Sequence, residues 1–320
     1  MIKILLLIFL IILTLTFIFI SNSIFFKNDN NVKFLKSDEA KNFLLNSYYF
    51  DKFNKNDIIS RNLNSLEIKS FYAKNIMDFT RDEKSAILWI INSIKKRLGN
   101  LKFLTRWGFI KVTDNIENGY PHTRNIFIVL SESIISNIEN LYNNNSIIYA
   151  LKNIGSLFVH ENVHVYQKMY PKIFENLYTY YWNFTRAKSI KNSDKYYNNV
   201  RNNPDGLDLN WVYDDNIWIL SIYKEDKKMN SVRYVGIYLE KLNNDEFIVP
   251  ENPKIIDILE LPKFKNFFRI DNNFYHPNEI CAEIFSIFYL FKMGLSKFNL
   301  EIEAFRKFSL WYSNHKSYFE

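Results

Sequence analysis

A single cysteine, Cys281, stands in 320 residues, which excludes an intrachain disulfide and any cysteine-built zinc cluster. Glycine and proline are scarce, seven of each, so the chain is neither collagen-like nor linker-like. No charge of one sign is concentrated in a stripe. The 41 Lys and Arg against 34 Asp and Glu give a formal +7 spread along the whole chain, and no nucleic-acid partner is expected. Also missing are a GxSxG elbow, a P-loop and a GxGxxG turn, so three common routes to hydrolysis and nucleotide binding are closed. What is abundant is apolar: 48% of residues are hydrophobic and 18% aromatic. At this length that supports one large domain or two modest ones, with an ample core.

From Ile4 to Phe26 there is no charged residue, and Ile4 to Ile20 is almost continuous Ile, Leu and Phe. About 20 apolar residues cross a bilayer as a helix. A signal peptide has a shorter apolar region and a small-residue cleavage site, of which Ser21-Asn22-Ser23 is a weak version. The expectation is a membrane-associated protein with a single-pass anchor at residues 1–26, or a secreted one if the segment is cleaved. Lys3 before the run and Lys27, Lys33 and Lys36 after it leave its orientation open.

Residues 27–60 are polar and rich in Asn and Lys, and read as a stalk before a folded body at 61–320. Apolar residues at helical spacing predict helices over Lys84–Leu98, Ile147–Met169, Pro171–Lys188, Pro277–Met293 and Lys297–Tyr312. Strands are predicted over Leu101–Val112, Asn125–Leu130 and Ser231–Glu240. Residues 189–230 read as loop-rich, with Asn-Pro-Asp-Gly at 203–206 marking a turn, within an insertion at about 189–275 that reads as a lid, a subdomain or a specificity insert. The fold class is α+β and helix-rich.

Chemistry concentrates at His160-Glu161-Asn162-Val163-His164, an HExxH sequence inside a predicted helix. Two His four residues apart lie one turn above each other, so both rings reach a single metal ion. Glu161 beside them is placed to take a proton from water as a general base. A helix with two surface His is the bland alternative, and Phe158, Val159 and Val163 argue against it. A catalytic zinc normally has three protein ligands. The third is sought in His276-Pro277-Asn278-Glu279-Ile280-Cys281-Ala282-Glu283, where Glu279 and Glu283 share one face of an otherwise apolar helix. Charge on such a face is costly unless paired or bound to metal. Glu279 is therefore read as the ligand rather than only a helix-capping acid, and Glu283 as the acceptor for the second ring N–H of a ligating His. His276 would donate to the oxyanion during attack, replace Glu279 as ligand, or merely precede the helix-starting Pro277. Tyr275 and Tyr289 are weaker candidates, and Cys281 reads as a packed small residue.

HExxH followed by a helix carrying Asn-Glu-x-x-Ala-Glu resembles the gluzincin group of zinc metallopeptidases, to which the thermolysin-like enzymes belong. The resemblance covers residues 151–170 and 274–290. It implies a zincin-like catalytic domain with an active-site helix and a small mixed sheet, and one zinc ion on His160, His164 and Glu279. It implies Glu161 as base and Glu283 as the acid that steadies a His ligand. Glu279 lies 115 positions after His164, a far longer connection than in thermolysin-like enzymes, and the insertion accounts for it. Zincin folds place an edge strand before HExxH, antiparallel to bound peptide, so the strand over 125–130, led into by Pro121-His122-Thr123-Arg124, would recognise substrate by strand addition. His122 or Arg124 would then touch substrate, unless the segment is an ordinary turn. Four of the five His fall in these segments.

The function expected is a zinc-dependent hydrolase, a membrane-associated metallopeptidase acting on peptide or protein. Its rival is a catalytically inactive, zinc-stabilised membrane-anchored binding protein with a closed four-ligand site that includes His276. A metal-free envelope protein requires the HExxH match to be accidental.

Overall fold

The computed structural model describes residues 32–46, 48–99 and 101–320. The apolar run at Ile4–Phe26 lies outside them; among the described residues no helix is long and apolar enough to cross a membrane. The first sheet contains β1 (Val32–Phe34), β2 (Ile76–Met77), β3 (Trp107–Val112), β4 (His122–Arg124) and β5 (Phe127–Ser131). Its order is β1-β3-β5-β4, with β2 also on β3. Strands β1, β3 and β5 run parallel, whereas β4 is antiparallel to β5 and lies at the edge. Both central strands are buried along their whole length, as parallel strands covered on two faces are.

Alternation along β3 and β5 divides the core. Trp107, Phe109, Ile128 and Leu130 face the main core, and Ile110, Val112, Phe127 and Val129 face a second apolar cluster. That second cluster is completed by Leu35, Ala40, Leu44 and Tyr49. The expectation of a stalk over 27–60 is thereby overturned for its described part. Residues 32–60 supply β1 and the helix α1 (Ser37–Leu45), and they cover one face of the sheet.

On the other face lie α2 (Arg81–Leu98), capped by Thr80 and Glu83, and α3 (Ser156–Met169). The chain enters α3 through a helical turn at Ile147–Ala150 and a wide π turn at Leu151–Gly155, so the helix expected over 147–169 is present with one bulge. Such bulges reset the facing of the residues that follow. The helix expected to reach Lys188 stops at Tyr181, because Asn183 adopts a left-handed conformation and turns the chain into a strand.

Eight short strands, joined by turns and loops, run through residues 184–257, so the loop-rich stretch expected at 189–230 also holds paired strands. They are β6 (Phe184–Arg186), β7 (Ser189–Lys191), β8 (Trp211–Tyr213), β9 (Ile217–Tyr223), β10 (Val232–Tyr238), β11 (Glu240–Lys241), β12 (Glu246–Ile248) and β13 (Ile255–Asp257). They form an antiparallel sheet in the order β13-β10-β9-β8-β6 and a smaller one in the order β11-β12-β7. The chain then returns to the main core through α4 (Pro277–Lys292), which packs along α3, and α5 (Glu303–Asn314). The architecture is mixed α+β with small sheets.

Candidate metal centre

HExxH lies in the middle of α3, where residues 158–167 are all buried. The helical period stacks the two His, and their Nε2 atoms stand 3.2 Å apart. Glu279, at the first turn of α4, brings Oε2 to 3.5 Å from His160 Nε2 and 3.7 Å from His164 Nε2. Ligands about 2.1 Å from a tetrahedral centre are about 3.4 Å from each other. The three separations fit such a tetrahedron's edges, and these are the residues whose donor atoms cluster for a metal.

The tautomer of His164 is fixed by its neighbours. Gln167 donates from Nε2 to the Asn278 carbonyl at 2.9 Å, which orients its amide and leaves Oε1 to accept from His164 Nδ1 at 2.8 Å. With Nδ1 protonated, the bare Nε2 of His164 faces His160 and Glu279. Burial pulls His160 down, but the hydrogen bond to Glu279 and the neighbouring carboxylates outweigh it and raise its pKa to about 9. On the far side of that ring, Glu283 Oε2 is 3.8 Å from Nδ1, facing it but too far for a hydrogen bond. The second oxygen of Glu279 accepts from Asn203 Nδ2 at 3.1 Å, and Asn203 also bonds the Tyr275 hydroxyl.

Glu161 is buried beside the triad, and Thr123 Oγ1 donates to its Oε2 at 2.9 Å. Burial, then the charge of Asp205, push its pKa up to about 8 against the pull of His160. A dication a few ångströms away would act in the opposite direction. Asp205 in turn accepts from the Thr123 N–H at 3.0 Å and from Lys168 Nζ at 2.8 Å, and Lys168 also bonds the Thr123 carbonyl. The Asn203–Gly206 turn therefore seals the outward edge of β4 at Thr123. The edge strand expected over 125–130 is instead the central β5, paired by β3 and β4, and the true edge strand has no free backbone groups at Thr123 for strand addition.

Two expected residues stand elsewhere. His276 is the N-cap of α4: its Nε2–H donates to the Asp208 carbonyl at 2.8 Å and its Nδ1 accepts from the Asn278 N–H at 3.1 Å. Both nitrogens are spent, so it is neither a third ligand nor an oxyanion donor. Arg124 is turned away into a buried ion cluster, 3.5 Å from Glu117 and 3.6 Å over the Tyr49 ring. His122 does line the cleft, with Nδ1 on the Tyr120 carbonyl and a buried Nε2 that meets no partner. Burial, then Arg124, lower its pKa to about 4, so it is neutral. The period of two along β4 explains the pairing: Thr123, between them, faces the HExxH helix.

Thr123, Gln167, Asn203 and Asp205 were not singled out from sequence. Gln167 had a signal, since it is one turn beyond His164 on the same helical face. The other three arrive through chain pairing that no local pattern carries. Asn203 and Asp205 line, with His160, Glu161, His164 and Glu279, a cleft of about 630 Å³ between α3, β4, the Asn203–Gly206 turn and the β9–β10 hairpin. No family model matches the chain, and no curated protein or solved structure matches it.

Proposed function

We propose that the protein is a zinc-dependent metallopeptidase of the gluzincin type with a zincin-like catalytic domain, held at a membrane by its apolar N-terminal run. The observation that carries this reading is the convergence of His160, His164 and Glu279 at tetrahedral-edge distances with Glu161 beside them in an open cleft. An imidazole pair and one carboxylate form a donor set suited to zinc. A mixed sheet with an antiparallel edge strand above the HExxH helix supports the zincin assignment. Zinc in this place supplies a Lewis acid that lowers the pKa of water and polarises a carbonyl.

The remaining roles belong to the chain. Glu161, oriented by Thr123, accepts a proton from water and returns it to the leaving amine. Gln167 holds His164 with its bare nitrogen inward, and Asn203 holds Glu279 through the oxygen turned away from the His pair. The rival reading, a closed four-ligand site in a non-catalytic binding protein, loses its fourth ligand because His276 is committed to capping α4.

The test is metal content and peptide hydrolysis on the purified full chain. About one zinc per chain is expected in the parent, in Glu161→Gln and in His276→Ala, and none in His160→Ala or Glu279→Ala. Hydrolysis should vanish in Glu161→Gln alone among the zinc-holding proteins. No zinc uptake by a folded parent, or full activity of Glu161→Gln, would sink the reading.

A further inference from the structure

Two arginines line the cleft, and they differ in one respect. Arg61 is spent on Asp57 and Glu117, at 2.9 Å from each. Arg201 meets no carboxylate among the described residues. Its Nη1 reaches only the Met229 carbonyl, at 3.4 Å, and its guanidinium carbon lies 5.6 Å from the centre of the Tyr275 ring. A guanidinium carries five N–H donors, so most of those of Arg201 are unused in a half-buried position, where an unpaired charge is costly.

The position is held firmly. The Arg201 N–H bonds the Ser221 carbonyl on β9 at 2.8 Å, and Tyr275 stacks on Tyr234 at 5.3 Å with the rings nearly parallel. Tyr275 bonds Asn203, which bonds Glu279. Arg201 is therefore separated from the metal triad by one aromatic ring and one amide. An uncompensated fork at this range, on a backbone tied to β9, is a receptor for a planar anion.

We propose that Arg201 forms the anion-binding subsite of the cleft and takes a carboxylate of the substrate. On the peptidase reading, on which this inference rests, the substrates are peptides with a carboxylate near the bond to be cleaved. That carboxylate belongs to an acidic side chain or to a free C-terminus.

The two sources separate in one binding experiment on the full chain carrying Glu161→Gln and loaded with zinc. Three peptides of one backbone sequence are compared: neutral and amidated, neutral with a free C-terminus, and amidated with one glutamate. A charge-assisted bidentate contact is worth on the order of 10- to 100-fold in affinity. One of the two anionic peptides should bind tighter than the neutral one by that ratio, and which one names the source. The preference should disappear in Arg201→Gln and in Arg201→Met, the second of which keeps the packing on Tyr275, with the neutral peptide bound as before. Equal affinity for all three peptides overturns the proposal without any variant, and so does a preference that survives in whichever variant folds. Hydrolysis by the Glu161-bearing parent is scored separately. Charge preference without hydrolysis leaves the subsite standing and removes the peptidase, and hydrolysis indifferent to charge does the reverse.

Discussion

Gln167 fills a place where an acid or a backbone carbonyl is the usual partner of a metal-binding His. An amide oxygen carries no full charge, so it orients His164 while adding less to its basicity than a carboxylate does. Replacing Gln167 by Met should strand the His164 Nδ1–H and free the ring to turn. Zinc affinity is expected to fall roughly 10- to 100-fold, with hydrolysis restored at saturating zinc; competition with a chelator reads the first and a zinc titration of activity the second. Thr123 acts on Glu161 instead. Thr123→Val keeps shape and removes the donor, and loss of a hydrogen bond to a charged group predicts a fall in kcat on the order of tenfold. Zinc content should not change, and Thr123→Ser should recover the rate. A Val variant as fast as the parent would show that Thr123 does not orient the base. The residues legible in the sequence were those whose relation is helical and local: His160, Glu161 and His164 within one turn, Glu279 and Glu283 within another. His276 was misread because a His before a helix-starting Pro has the same appearance whether it faces a metal or caps the helix, and only its two hydrogen bonds decide.

Elements bring the site together through one helix pair and one turn. The α3–α4 pair is tied by Gln167 to the Asn278 carbonyl, and the long helices that form it were legible from apolar spacing alone. Of the strands in residues 184–257 only β10 was, from the alternation over Ser231–Glu240; the others pair with distant partners and leave little local period. Residues 32–60 were hidden by composition: Asn and Lys dominate, yet Leu35, Ala40, Leu44 and Tyr49 are buried under the sheet. The Asn203–Gly206 turn was visible as a turn but not as part of a site. It is latched by Asp205, whose carboxylate is held low, despite burial, by Lys168 and His164 first among its neighbours. Asp205→Asn keeps the shape and weakens that latch. Breaking a buried ion pair costs about 3–5 kcal/mol, and Lys168 keeps 30% of its side chain exposed, so a loss of at most about 3 kcal/mol is expected in urea unfolding. A loss under about 0.5 kcal/mol, the scale of an ordinary surface substitution, would mean that other contacts hold the turn.

Across the whole molecule, a second polar centre does for the fold what the His160–His164–Glu279 triad would do for the proposed chemistry. Glu117 accepts from Arg61, Tyr72 and Tyr49 and faces Arg124, while Asp57 accepts from Arg61, Tyr223 and Asn202. These residues come from the N-terminal segment, the loop before β4, β4 itself and the stretch from Asn202 to the end of β9, so one cluster joins four stretches of chain. Glu117 and Asn118 also sit in left-handed conformations, at φ 49° and 58°, which cost about 1–2 kcal/mol per residue and persist only where surroundings fix them. Burial alone would raise the Glu117 carboxyl, but Arg61, then His122 and Arg124, bring it down from 4.5 to about 2. A pKa depressed in the folded state stabilises the protein above the unfolded value and withdraws that stability as pH falls through the folded one. The window is therefore pH 4.5 to 2, and at about 1.4 kcal/mol per unit the contribution is on the order of 3 kcal/mol. Glu117→Gln should lose about that much stability at neutral pH, leaving two arginines facing an amide. The gap between variant and parent should narrow steadily as acid protonates the parent's Glu117. Urea unfolding of both proteins at neutral pH and at successive steps below pH 4.5 measures it. A gap that stays constant through the window would place the depressed carboxyl elsewhere and leave Glu117 with a role in shape alone.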